Sequence, residues 1–320
     1  MEKTKSSKAI NFVKNHAIYG VLVIVALFFT VMSDKFFTID NWLTIVRQVS
    51  MMGICAIGMT FVLLTGGIDL SIGSGITFVN IFCAYLMVEA GLPPFLAILI
   101  NLAIMFLVGA FQGFLVTKIG IPPIIATMAF MNIFKGIAYV ISGGLPINGF
   151  EDSFKMIGQG YIFGVFPIPI LIMIIIFVIG AFILYKFYLG RYFYAIGGNK
   201  EAAKLSGIKV DRVTILVYAL NGLFAAIAGI IYLSRLNSGS PATGSGFEFD
   251  VITACVLGGV SVNGGYGKIS GVLAGVIIMG MLDNGLIMIG LSEYWKWIVK
   301  GAILCLAVGI DCMSKKKKKA

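Results

Sequence analysis

Ten apolar stretches, separated by short polar segments, follow one another along nearly the whole chain. Each is a continuous apolar block, whereas the strands of a membrane barrel would alternate apolar and polar positions. A helix needs about 20 mostly apolar residues to cross a bilayer, so the pattern predicts an all-α polytopic membrane protein. The predicted spans are residues 16–33, 43–65, 70–89, 93–117, 122–141, 167–187, 213–234, 250–263, 270–290 and 294–313.

Two of these stretches depart from the simple pattern. Residues 250–263 are short and rich in glycine, which predicts a broken or re-entrant helix that is tolerated because protein surrounds it. Residues 16–33 follow a basic segment, as the apolar part of a signal peptide does. No small-residue cleavage site comes after them, so we expect a retained helix.

Composition and charge placement agree with this class. Hydrophobic residues make up 59% of the 320 and charged residues 12%, whereas soluble domains carry about 25% charge. If the N-terminus is cytoplasmic, 17 of the 24 Lys and Arg lie inside and 4 outside, as the positive-inside rule requires. Both termini are therefore expected in the cytoplasm. We expect the basic N-terminus (1–15) and the lysine tail (314–320) to contact anionic lipid, with no nucleic-acid partner.

No loop is long enough to fold as a separate soluble unit, so residues 1–320 are predicted to form a single transmembrane domain. Glycines are numerous, 40 in all, and two GxxxG patterns occur at 109–113 and 271–275. Such patterns let helix backbones pack closely in lipid, and packing within the chain is favoured over a dimer contact. LLTGGIDLSIGSG (63–75) and VLGGVSVNGGYGK (256–268) look alike, through either an internal repeat or chance.

Polar residues inside apolar spans are the candidate pathway or helix-break positions, because they are costly in a membrane and seldom without a role. Asp69 could cap a helix starting near Ser71 or line the pathway. Asp283 could pair with a cation on another span, for which the choices are Arg47, Lys135 and Lys300, although Lys300 could simply snorkel. Asparagines could bind sugar hydroxyls or tie helices together, at positions Asn80, Asn101, Asn132 and Asn221. The full candidate set is Asp69, Ser71, Asn132, Lys135, Asn221, Asp283 and Asn284.

The longest inside loop, residues 188–212, contains a polar stretch with helix caps. Asn199 is a good N-cap, Glu201 suits the first turn, and Gly207 is placed as the residue after the C-cap, with Ile208 packing back onto Ala203. The pattern predicts a helix over 200–206, which is too short to be stable alone. Its small residues and basic rim fit either docking into a groove of another protein or a simple re-entry turn.

Catalytic motifs are absent from the sequence. It has no phosphate-binding loop, because GGYGKIS (264–270) lacks the first glycine and the Ser or Thr after its lysine, and no nucleophile elbow or HExxH. The five cysteines have no metal-type spacing. We therefore expect no enzyme activity, no catalytic residue and no metal.

GGNKEAAKLSGI (197–208) resembles the cytoplasmic coupling segment of ABC importer permeases, in its ribose, xylose and galactose subfamily. The E-A-A-x-x-x-G core matches, and the I-x-L-P tail of longer versions is absent. Further matches in order are AIGMTFVLLTGGIDLSIGS (56–74), IPPIIATMAF (121–130), ITACVLGGVSVNGGYGKISGVLAG (252–275) and NGLIMIGLSEYWKWIVKGAIL (284–304). The residues that carry the segment are Gly197, Gly198, Asn199, Glu201, Ala202, Ala203, Ser206, Gly207 and Ile208.

The resemblance implies a type II importer-like permease fold of about ten spans in a bacterial plasma membrane. It implies that a second permease copy or a paralogue pairs with the chain, that ABC ATPase subunits bind the coupling segment, and that an extracytoplasmic binding protein delivers a sugar. ATP and magnesium would then be bound by the ATPase, and this chain would hold no cofactor.

Other functions stay open at the level of sequence. Nucleosides or another sugar-like solute are alternative cargoes. A proton-coupled secondary transporter with Asp69, Asp283 and Lys135 as a relay is a second alternative, and it would need no docking helix. A membrane scaffold would have little use for buried charges and broken helices.

Overall fold

The computed structural model describes residues 18–319, with side chains through residue 313. The basic N-terminus, the first residues of the first span and the side chains of the lysine tail lie outside this description. The described chain forms thirteen α-helices in the following order: α1 Ile18–Met32, α2 Ile39–Leu64, α3 Ile72–Val88, α4 Pro94–Phe114, α5 Pro123–Ser142, α6 Asp152–Gln159, α7 Ile168–Tyr185, α8 Tyr188–Gly198, α9 Lys200–Leu205, α10 Val210–Leu236, α11 Phe247–Leu257, α12 Ile269–Met288 and α13 Glu293–Lys319.

Each of the ten predicted spans overlaps one of these helices, which confirms the all-α polytopic class. Six are long and apolar enough to cross a membrane by length and composition: α2, α4 with its extension, α5, α7, α10 and α12. Helices α1 and α3 are apolar but shorter. The eighth span is α11, only 11 residues long, and it ends at Gly258 in an irregular segment, as its glycines predict.

Local sequence explains several helix boundaries. α4, α5 and α7 each have proline at the first helical positions, where its missing N–H costs nothing. α4 continues as a π-helical turn, Leu115–Ile119, which ends at Gly120 with φ +85°. Glycine adopts this left-handed conformation without a steric penalty, so the chain can turn sharply into α5.

The buried centre of the bundle consists of α2, α3, α10 and α12. α10 packs against α2, α3, α4 and α6, while α2 also contacts α7, α11 and α12. The outward faces of α4 and α7 are exposed and apolar, as lipid contact requires, whereas α5 exposes Asn132 and Lys135 beside its apolar residues.

Both GxxxG patterns pack inside the chain. A Cβ on Gly109 would overlap the backbone of α10 at Tyr218, and one on Gly113 would lie 2.7 Å from the Cα of Ile215. On α12, Gly271 and Gly275 lie against the backbone of α11 in the same way. These glycines therefore bring helices α4 and α10, and α11 and α12, into backbone contact.

The two longest predicted loops contain more structure than the sequence indicates. Residues 142–166 include α6 and part of a two-stranded hairpin, β1 Tyr161–Ile162 and β2 Phe166–Pro167. The 188–212 loop is almost entirely helical, because α8 precedes the predicted helix and only Asn199 separates the two. The expectation of a single short helix there was therefore incomplete.

Candidate functional site

The helix α9 begins as its sequence predicts. Asn199 adopts extended backbone angles between α8 and α9, and its Oδ1 accepts a hydrogen bond from the N–H of Ala202 at 3.0 Å. This bond satisfies one of the N–H groups that have no partner at a helix start, and Glu201 lies in the same turn. A single residue therefore both ends α8 and caps α9.

The end of α9 forms a complete Schellman motif. Gly207 has φ +83°, its N–H bonds to the carbonyl of Lys204 at 3.0 Å, and the N–H of Ile208 bonds to that of Ala203 at 3.1 Å. The Ser206 hydroxyl donates to the carbonyl of Ala202 at 2.9 Å. The helix covers 200–205, one residue shorter than predicted, and its geometry is fixed at both ends.

Opposite faces of α9 differ in exposure. Ala203 is buried against the rest of the chain, whereas Ala202 and Ser206 are exposed and Leu205 is 89% exposed. Lys200 and Lys204 are exposed too and carry the positive charge of the rim. The outward face therefore presents one large apolar side chain on a small, rigid, basic platform.

Five glycines from three segments meet at the end of α8, and we call Gly66, Gly197, Gly198, Gly264 and Gly265 the glycine junction. A Cβ on Gly197 would overlap the carbonyl of Leu64 and the amide of Gly265, which bond to each other at 3.0 Å. A Cβ on Gly264 would lie 2.9 Å from the Cα of Gly197 and 3.0 Å from that of Gly66.

The junction joins the coupling segment to both glycine-rich breaks noted in the sequence. Gly66 follows α2 directly, while Gly264 and Gly265 lie between α11 and α12. Gly66, Gly264 and Gly265 all have positive φ, which only glycine adopts readily. Three segments distant in sequence are thus in backbone contact at the C-terminal end of α8.

A tyrosine strengthens the same contact. Tyr194 on α8 donates its hydroxyl to the carbonyl of Gly267 at 2.8 Å. Burial raises the pKa of the Tyr194 phenol to about 12, so the group stays protonated and remains a donor at neutral pH. Helix α8 is therefore held to the 258–268 segment by both packing and a hydrogen bond.

A second cluster surrounds Asp69, which is 2% exposed between α2 and α3. Its Oδ1 accepts from the N–H and the hydroxyl of Ser71, at 2.8 and 2.6 Å, and its Oδ2 accepts from Asn221 Nδ2 at 2.7 Å. Gln112 donates to the Ser71 hydroxyl at 2.9 Å. The network ties the start of α3 to α4 and α10, and a small cavity lies beside it.

Asp69 has no cation partner among the described residues, and two buried polar atoms near it have no hydrogen-bond partner. These are the Tyr218 hydroxyl and Asn221 Oδ1. Unpartnered polar atoms are costly in an apolar interior, so the Asp69 network is a polar site that packing alone does not explain.

A buried ion triad joins the last three helices. Lys300 Nζ donates to Asp250 Oδ2 at 2.8 Å and lies 2.7 Å from Asp283 Oδ1 in an ion pair not aligned as a hydrogen bond. The side chains are 12–18% exposed. Lys300 is therefore the partner of Asp283 among the three cations considered. The alternative that Lys300 merely snorkels was wrong, because its ammonium group is held between two carboxylates.

The remaining candidates lie elsewhere. Arg47 hydrogen-bonds to the hydroxyl of Tyr161 and stacks over its ring. Lys135 and Asn132 are exposed on α5, where Asn132 donates to its own helix. Asn284 follows Asp283 with its Oδ1 buried and unpaired.

The nine residues of the predicted coupling segment form one local unit, whereas the pathway candidates other than Asn284 fall into three groups. Asp69, Ser71 and Asn221 share one network, Asp283 belongs to the ion triad, and Asn132 and Lys135 share the α5 face. The sequence analysis did not assign a role to Gln112 or Asp250. Asp250 is the first residue of the predicted span 250–263, so it read as a boundary residue, whereas Asp283 lies well inside its span.

The opposite end of the bundle carries α6 and the hairpin. Ser234 near the end of α10 accepts the N–H of Gly158 at 2.7 Å and donates to the carbonyl of Phe154 at 2.7 Å. Helix α10 has 27 residues and starts beside α9, so it separates the two surfaces by about 40 Å. That distance is the thickness of a bilayer with its head groups.

The chain has apolar helices of spanning length, an interrupted span at α11, buried polar clusters and different surfaces at its two ends. These features define a multi-pass membrane protein of the transporter type. The chain belongs to the family of permease components of branched-chain amino acid transport systems, whose model matches residues 41–308.

Several relatives that align with most of this chain are sugar permeases. The chain is 43% identical over 292 residues to the ribose import permease protein RbsC of Bacillus subtilis, covering 91% of this chain and 90% of that protein. It is 42% identical to RbsC of Escherichia coli K12, covering 92% of each. Identity to the xylose transport system permease protein XylH of Haemophilus influenzae is 32%, covering 97% and 99%. No solved structure matches the chain.

Proposed function

We propose that this chain is the membrane-spanning permease subunit of an ATP-driven ABC importer that carries a sugar across a bacterial plasma membrane. The observation that carries this is α9: a short helix, capped at both ends, joined through α8 to the glycine junction, with an exposed apolar residue facing outward. A transporter that works without an ATPase subunit needs no exposed docking helix.

The coupling segment, residues 197–208, is the proposed contact for the ATPase. Leu205 and Ala202 supply the apolar surface, and Lys200 and Lys204 supply charge at its rim. Movement of α9 would reach α2 and the segment before α12 through the glycine junction. ATP and Mg²⁺ would be held by the ATPase, and this chain would bind no cofactor and no metal, in keeping with its missing phosphate loop.

A second permease copy or a paralogue is proposed to cover the polar face of α5. Asn132 and Lys135 lie near the middle of this 20-residue helix, where exposure of polar groups to lipid is costly. They would face a partner subunit or a hydrated pathway between subunits. α6 and the hairpin, at the other end of α10, are the proposed landing surface for an extracytoplasmic binding protein.

A sugar is favoured as cargo because the relatives that cover the chain almost fully are ribose and xylose permeases. A nucleoside or another sugar-like solute is the alternative cargo. Because Lys and Arg concentrate on one side of the membrane, that side is taken as the cytoplasmic one, and both termini and the coupling segment face it. The whole chain is proposed to form one transmembrane domain.

The test is association with the ABC ATPase subunit of the same importer. We expect Leu205→Ser to weaken ATPase binding at least about tenfold, because it removes an apolar contact from the surface without touching the fold. Gly207→Val should do the same by breaking the left-handed turn, whereas Gly207→Asn should bind nearly as well because asparagine tolerates that conformation.

Binding is measured by co-purification and titration from membranes, with insertion followed by a fluorescent tag. Normal ATPase binding by Leu205→Ser and Gly207→Val, with each variant inserted at parental level, would contradict the proposed docking role of α9.

Proton coupling is the second candidate function, and one observation favours it: Asp69 is a fully buried carboxylate with no cation partner in the described chain. The proposed relay members, however, bond to different partners. We expect proteoliposomes with the permease alone to show no sugar uptake when a pH gradient is imposed. Gradient-driven uptake that Asp69→Asn abolishes would establish the proton-coupled function and overturn the importer.

A further inference from the structure

We propose that the groove between α8 and the start of α10 binds the head group of an anionic phospholipid of the inner leaflet. The proposal rests on the cytoplasmic orientation given above and on no other part of the proposed function. It adds a ligand site beside the coupling segment that neither the family nor the relatives' names assign.

The groove has a volume of about 290 Å³ and two different walls. Its charged wall consists of Lys209 and Arg212, both exposed. Neither forms an ion pair within the described chain, in contrast to Lys118, which pairs with Asp211 at 2.6 Å. Two cations converging on one groove without a carboxylate between them are a site for a phosphate group.

The other wall is apolar and aromatic. Tyr188, Leu189 and Tyr192 line it from α8, and Val213 and Leu216 line it from α10. Tyr188 and Tyr192 lie one turn apart with ring centroids at 5.4 Å. Tyrosine is enriched where a membrane meets water because its ring is apolar and its hydroxyl is polar. A soluble anion gains no binding energy from an apolar wall, whereas the glycerol and acyl part of a lipid can pack against it.

A continuous aromatic strip connects the groove to the lipid-facing side of α7. Phe182 and Phe187 are 58% and 41% exposed, their ring centroids lie 6.5 Å apart, and Phe187 contacts Tyr188 at 4.5 Å. Val178, one turn before Phe182, is 64% exposed on the same face. A lipid with its acyl chains along α7 would therefore place its head group in the groove.

The groove also borders the coupling segment, because Gly207 and Ile208 form part of its wall. The proposed ATPase contacts, Ala202 and Leu205, do not line it. A bound head group would thus lie against the turn that ends α9 while leaving the docking face open.

The experiment titrates the delipidated full-length chain with phosphatidylglycerol and phosphatidylethanolamine of identical acyl chains, followed by native mass spectrometry. We expect Lys209→Gln with Arg212→Gln to weaken phosphatidylglycerol binding about 30-fold, about fivefold for each charge near a membrane surface. The matched control is Lys186→Gln with Arg191→Gln, two exposed cations of the same region that do not line the groove, which should lose clearly less affinity than the groove variant.

Phosphatidylethanolamine carries the same phosphate but no net charge, so the groove variant should lose less affinity for it than for phosphatidylglycerol. A thermal melt in detergent checks that each variant is folded. Lys209→Arg with Arg212→Lys should retain the parental affinity for phosphatidylglycerol. Equal losses in the groove variant and the control variant, or no loss in either, would overturn the proposal.

Two further arms separate other occupants. Excess inorganic phosphate should leave the lipid adduct in place, and displacement by phosphate would assign the groove to a soluble anion and overturn the lipid. Assembly with the ATPase should also leave the adduct in place, since loss of lipid on assembly would assign the groove to the ATPase. Neither result depends on which solute is carried, so this test can fail while the proposed function stands.

Discussion

Replacing Gly197 by alanine is expected to reduce uptake by the assembled transporter at least about tenfold. The added Cβ would overlap the backbone of Leu64 and Gly265, where no side chain can move aside, so α8 must shift by a sizeable fraction of an ångström. Overpacking of this kind costs about 1–3 kcal/mol. Uptake of labelled sugar into proteoliposomes that contain the permease and its ATPase measures the loss.

Gly198→Ala is the matched control. The two glycines are adjacent in α8, but a Cβ on Gly198 would meet nothing within 4 Å. Both substitutions raise helix propensity alike, by up to about 1 kcal/mol, so a difference between them reports the contact and not the helix. Equal uptake by the Gly197→Ala and Gly198→Ala variants would show that the junction does not transmit motion.

Replacing Lys300 by methionine should destabilise the protein by about 3–5 kcal/mol, because Asp250 and Asp283 would then face each other without a cation. The melting midpoint in detergent should fall by about 5–10 °C, as such a loss does in a chain of this size. Lys155→Met is the control, because its partner Asp152 is fully exposed and ion pairs at an exposed surface contribute little to stability.

The same triad offers a rescue. Adding Asp250→Asn and Asp283→Asn to Lys300→Met removes the uncompensated charge, so the triple variant should regain most of the lost stability. If Lys300→Met melts with the parent, or if the triple variant melts with Lys300→Met, the triad is not the stabilising unit described.

The fold class and the capped helix α9 were predictable from sequence because their determinants are local. Apolar blocks of spanning length indicate helices wherever they occur, and Asn199 and Gly207 act on bonds within a few residues of themselves. Helix α8 was missed because its residues were assigned to the long inside loop after the span at 167–187, and three of its eleven residues are glycines, which favour helix weakly.

The contacts between distant segments could not be predicted in the same way. Gly197 meets Leu64 and Gly265 only because α2, α8 and the segment before α12 end at the same level. Lys300 was one of three cations considered for Asp283, and sequence has no means of ranking them, because the choice depends on how α11, α12 and α13 pack. Gln112 bonds to Ser71 across 41 positions and carries no local signal at all.

The absence of side chains at the glycine junction has a mechanical consequence. Where side chains separate two elements, rotamer changes absorb small displacements. Only part of the movement of one element then reaches the other. At Gly66, Gly197 and Gly264 the contact is formed by backbone atoms alone. We expect this contact to be stiff, so that a displacement of α9 is passed on to α2. We therefore expect a stroke of the proposed ATPase to reach α2 almost undiminished as long as these positions remain glycine.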